Sequence, residues 1–105
     1  MDDYRNVCYL IHLERPINNS GTQHYIGFAA DLNERIAKHR ASKGAQVLRR
    51  ANALGIKWDV VRVWRNGSRE AEIGLKHFGG KNLCPKCSKF RRVNTLQIDS
   101  VQGRT

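Results

Sequence analysis

The sequence predicts an α+β fold, a small and mostly antiparallel three-stranded sheet flanked by helices. Three observations predict it. Two runs rich in Val, Ile, Leu and Tyr flank a loop signal, as a hairpin requires. A third run, rich in Val and Trp, follows two helical segments. Three segments carry apolar residues at helical spacing, enough to cover the faces of such a sheet.

The elements follow in order. Asn6 to Leu13 reads as a strand, with Tyr9, Ile11 and Leu13 on one face and Cys8, Leu10 and His12 on the other. Glu14 to Gln23 holds Pro16, Asn18, Asn19, Ser20 and Gly21 and reads as the hairpin loop. His24 to Phe28 returns, with Tyr25 and Gly27 on one face and His24, Ile26 and Phe28 on the other. Asp31 caps a helix, and Glu34 completes a capping-box pattern. Leu32 and Ile36 form its buried stripe, while Arg35 and His39, four apart, share a neighbouring face. Gly44 opens a second helix carrying Val47, Leu48, Ala51 and Leu54, and Gly55 stops it. Ile56 to Trp64 is the third strand. Ser68 caps a third helix with Ala71, Leu75 and Phe78 as its stripe, ended by Gly79-Gly80. Residues 1–88 thus form one domain, and 89–105 a basic, polar arm with a loose end.

The bulk properties bound the function. A chain of 105 residues holds one modest core, and 40% apolar content is enough to fill it. No apolar run approaches the ~20 residues that span a bilayer. The start, Met1-Asp2-Asp3-Tyr4, lacks the apolar stretch of a secretion signal, so the expected location is cytoplasmic. Lys and Arg number 19 against 9 acidic residues, a net charge of +10, which calls for a polyanionic partner. The basic residues do not oppose one apolar stripe, so nucleic acid is favoured over a membrane surface.

Val7-Cys8-Tyr9, Tyr25-Ile26-Gly27, the helix "DLNERIAKH" and the later "EIGLK" occur in that order on the expected elements. In this the chain resembles the GIY-YIG nucleases, compact metal-dependent DNA-cutting domains. The first tyrosine signature keeps only its tyrosine, and the second is intact. "HRASKGAQVLRRANALGI" and "NLCPKC" resemble segments of small stand-alone members, so the likeness covers residues 6–88. The fold it implies is an α/β/α sandwich. The activity it implies is endonuclease or nickase hydrolysis of phosphodiester bonds. The alternative is a catalytically weak or inactive nucleic-acid-binding module on the same fold.

The resemblance implies a catalytic set of Tyr9, Tyr25, Arg35, His39 and Glu72. Tyr9 would assist attack by water, and Tyr25 would position it. Arg35 carries a permanent charge on a fork that fits two phosphate oxygens. His39 would accept a proton or contact phosphate. Glu72 would hold Mg²⁺ or Mn²⁺, which commonly takes one or two carboxylates and substrate oxygens. The glycine at Gly27 would let the backbone pass close to the site. The two phenols, Arg35 and Glu72 are expected to converge on one basic cleft. Asn82 is the nearest match to the family's late asparagine.

Duplex DNA is the expected partner, contacted by Arg40, Lys43, Arg49, Arg50 and Lys76 with Gly27 beside them. A homodimer stays open, because a lone site cuts one strand. Cys84-Pro85-Lys86-Cys87 has the form of half a zinc site, with His77 as a third ligand and Cys8 assigned to the strand core. A reduced or adventitiously oxidised pair is the favoured reading, and a zinc or disulfide shared across a dimer is a further one.

Overall fold

A computed structural model of the chain describes residues 4–18 and 21–87. The arm expected over residues 89–105 lies outside the described residues. The order is β1 (Arg5–Ile17), β2 (Thr22–Asp31), α1 (Leu32–Arg40), α2 (Gln46–Ala53), β3 (Trp58–Trp64), α3 (Arg69–Phe78) and α4 (Gly80–Leu83). The three strands form one antiparallel sheet in the order β2-β1-β3, which is the α+β architecture expected.

β1 is central, and Val7 through Ile11 are buried on both faces. Strand parity therefore sorts the molecule into layers. Tyr9, Ile11 and Leu13 look toward α1 and α2, and pack with Leu32, Leu48, Ala51, Trp58 and Val63 in the main core. Leu10 and Ile26 look the other way and meet Leu75, Leu83, Cys84 and Cys87 from α3, α4 and the turn after it. This second layer is thin, with Leu10, Ile26 and Cys84 as its buried members.

The caps form as expected. Asp31 accepts from the Glu34 N–H at 3.2 Å, and Ser68 accepts from the Ala71 N–H at 3.0 Å.

The hairpin loop is much shorter than expected. β1 continues through Ile17, which pairs with Thr22 at the start of β2. Glu14 and Pro16 suggest a loop because they are exposed and one lacks an N–H, but Glu14 still donates to Lys57 across the other edge at 2.8 Å. The β1–β2 register shifts between His12 and Ile17, which accommodates the proline. β2 runs on to Asp31, β3 begins at Trp58, and α2 begins at Gln46. Phe78 is 65% exposed and does not belong to the buried stripe of α3. α4, unforeseen in the sequence, folds back and brings Leu83 to that layer.

Candidate functional site

Tyr9 lies at the middle of the central strand, opposite Gly27 on β2 and Val63 on β3. Tyr25 lies opposite Ile11, so both phenols emerge on the same face. Their ring centroids are 6.1 Å apart. A Cβ at Gly27 would fall 2.6 Å from the Tyr9 hydroxyl and 2.9 Å from the Tyr25 ring. Glycine is therefore required here by the Tyr9 ring lying across the strand.

α1 crosses this face and carries Arg35 and His39 toward the tyrosines. His39 is completely buried, and its Nε2 lies 2.8 Å from the Tyr9 hydroxyl. The Ala45 N–H donates to Nδ1 at 3.4 Å. A neutral ring that accepts at Nδ1 carries its proton on Nε2, so the Tyr9 oxygen accepts from His39. The Gly44 backbone presses on the same ring, and a Cβ there would collide with Nδ1. The Asn52 side chain donates to the His39 carbonyl at 2.8 Å and to the Ser42 hydroxyl at 2.9 Å. Its oxygen accepts from the Trp58 indole at 2.9 Å. One amide thus ties the end of α1 to α2 and β3.

The electrostatics follow from burial. Loss of solvent pushes the His39 pKa down to about 4, and the positive charge of Arg35 pushes the same way. Burial raises the Tyr9 phenol well above its ordinary value, and the neighbouring Tyr25 adds to this, while Arg35 opposes it. The pair is neutral at pH 7.

Arg35 is half-buried, and its Nε has no hydrogen-bond partner among the described residues. No carboxylate among those residues pairs with it. It lines a cleft of about 220 Å³ at the free edge of β2, together with Phe28, Asp31, Lys38 and Arg69.

Glu72 departs from the expected convergence. α3 lies on the opposite layer, and Glu72 faces Cys8 rather than the tyrosines. Its carboxylate pairs with Lys76 at 3.1 Å and Arg69 at 3.3 Å. It makes no contact with Tyr9, Tyr25 or His39. Arg69, one of its partners, shares the cleft at the β2 edge with Arg35. As a metal ligand, the buried Glu72 offers one carboxylate, which suits a divalent ion that draws its other ligands from water and phosphate. Its two cationic partners are long and exposed, at 55% and 70%. A divalent ion would have to displace both cations from this one carboxylate.

Other candidates fall elsewhere. Asn82 donates to the Phe78 carbonyl at 2.8 Å and serves the end of α3. Lys43, Arg49 and Arg50 are exposed around α2. Arg40 stacks on the Trp58 ring, 3.8 Å from its centroid. Cys84 and Cys87 lie on the α3–α4 face beside His12 and His24, whereas His77 is exposed and apart from them. The sequence reading missed Gly44, Asn52, His12 and His24. Strand parity carried a signal for the last two, since it sets both on the face away from the tyrosines.

No helix among the described residues is long and apolar enough to cross a membrane. No protein-family model, curated protein or solved structure matches the chain.

Proposed function

We propose that the chain is a metal-dependent DNA endonuclease or nickase of GIY-YIG type, acting on duplex DNA. The observation that carries this reading is Arg35. A guanidinium with no acidic partner among the described residues, seated beside two phenols and a histidine in a chain of net charge +10, is suited to an anion. In this reading Arg35 grips the scissile phosphate. Tyr25, half-buried, orients the attacking water, and His39 holds the buried Tyr9 ring behind it through its hydrogen bond, so Tyr9 meets the water only if bound DNA opens the site. Burial opposes ionisation of Tyr9, so its use as a base depends on the cation beside it, Arg35. Glu72 would hold the divalent ion, which supplies neutralisation of charge on the phosphate.

The placement of Glu72 favours a second reading, a nucleic-acid-binding module without catalysis. Its carboxylate is taken up by Lys76 and Arg69, and it touches no tyrosine. Supercoiled plasmid with Mg²⁺ or Mn²⁺ separates the two. Nicking by the wild type, abolished in Arg35→Ala and Glu72→Ala, supports the nuclease. Plasmid left intact by all three proteins, yet shifted on a gel, supports the binding module.

A further inference from the structure

On the face away from the tyrosines, four side chains meet. His12 and His24 are directly opposed on β1 and β2. Cys84 and Cys87 arrive from the turn after α4, where the Cys87 N–H donates to the Cys84 carbonyl at 3.2 Å. Both thiols are free, and the four ligand atoms lie within 4.8 Å of one another.

Hydrogen bonding does not account for this geometry. His12 Nδ1 has 3.3 Å to His24 Nε2, 3.3 Å to Cys84 Sγ and 3.6 Å to Cys87 Sγ. One ring nitrogen has either one proton or one lone pair, so it cannot serve three polar partners. A central cation serves all of them. Zn–S bonds of about 2.3 Å and Zn–N bonds of about 2.05 Å at tetrahedral angles place ligand atoms about 3.3 Å apart for N···N and about 3.5 Å for N···S. The observed N···N separation is 3.3 Å, three of the four N···S separations are 3.3, 3.4 and 3.6 Å, and all four ligand atoms stay within 4.8 Å of one another.

We propose that His12 through Nδ1, His24 through Nε2, Cys84 and Cys87 bind one zinc ion in a tetrahedral site. Two thiolates and two imidazoles select zinc among the common divalent ions. Four protein ligands close the site, so the ion is structural and leaves no position for water or substrate. It clips the segment after α4 to the turn-side half of the hairpin, where His12 pairs with His24, across 72 residues of chain from Cys84 to His12. The need is visible in the layer it completes, whose core among the described residues is three buried residues. The Arg62 guanidinium donates to the Leu83 carbonyl next to Cys84 and steadies the incoming strand of chain.

The test begins with full-length protein, its metal content and its response to Zn²⁺ and Co²⁺. One zinc per chain is expected, with a fall in Tm on chelation that Zn²⁺ reverses. Co²⁺ in its place is expected to give the visible bands of a tetrahedral ion and a thiolate charge-transfer band. His24→Ala and Cys87→Ser are expected to weaken binding by more than about a hundredfold, beyond the usual effect of losing a group that merely supports a ligand. His77→Ala is expected to keep full affinity. The proposal is overturned if the purified chain neither carries nor takes up stoichiometric Zn²⁺. It is also overturned if Co²⁺ gives no thiolate band, or if soluble, folded His24→Ala binds as the wild type does. The wild-type measurements decide the matter even where a ligand variant fails to fold.

Discussion

His39 and Tyr9 are both completely buried and share a 2.8 Å hydrogen bond, so protonating the histidine in place is costly. Its pKa is held near 4 in the folded protein against 6.5 in the open chain. The sign follows by linkage. Above pH 6.5 both states are neutral and the shift has no effect. As pH falls, the unfolded chain takes up the proton first, so stability is lost between pH 6.5 and about 4 and then levels off. The loss approaches about 3 kcal/mol at the lower limit. Urea unfolding at pH 7 and pH 4.5 measures it, and His39→Gln is expected to lose less stability across that interval than the wild type. Equal losses in both proteins would assign the pH dependence to other groups. Gly27 poses the opposite problem, since a methyl group there meets the Tyr9 hydroxyl at 2.6 Å. Gly27→Ala is expected to cost about 1–3 kcal/mol in urea unfolding and to alter the near-ultraviolet dichroism of the tyrosines. At this scale the sequence was informative where parity alone decides. It set Tyr9, Tyr25 and Gly27 on one face without any knowledge of the partner layer. Asn52 and Gly44 were illegible, because their work depends on where α2 lands against α1 and β3.

The elements were legible where a local hydrogen bond defines them. Asp31 and Ser68 were readable as caps because a side-chain acceptor three residues before an N–H is a local arrangement. The end of the hairpin was not, because Ile17 and Thr22 pair across a turn whose flanks carry charge and proline. Pairing there rests on partners distant in sequence, such as Lys57. The same limit hid the approach of α3, which the helical pattern alone could not assign to one side of the sheet or the other. Ser68 is the cap of the helix that carries Glu72, so its loss should be felt at that carboxylate. Ser68→Ala is expected to cost about 1 kcal/mol, read as a lower urea midpoint with an unchanged slope. A changed slope would instead mean that α3 has become detached from the sheet.

Across the whole molecule, the sheet separates two side-chain clusters. One face carries the tyrosine, histidine and arginine group, and the other carries the cysteine–histidine cluster, with Glu72 beside Cys8 on that second side. A net charge of +10 surrounds both. Lys43, Arg49 and Arg50 are exposed near α2, on the same layer as Arg35, and under the proposed nuclease reading they would follow the backbone of a duplex bound at Arg35. Such contacts release counterions and position the duplex without reading its sequence. Replacing the three with alanine is therefore expected to weaken duplex binding to a similar degree for unrelated sequences. The slope of log affinity against log salt should become shallower by up to about 3, roughly one for each lost phosphate contact. Fluorescence anisotropy with two unrelated duplexes between about 50 and 200 mM salt measures both effects. The side chains are exposed and bear no part of the core, so Tm should stay within a degree or two of the wild type. An unchanged salt slope in the triple variant would place the DNA path elsewhere. The cleft shared by Lys38, Arg35 and Arg69 at the β2 edge would then be the surface to alter next, because it also joins the two faces.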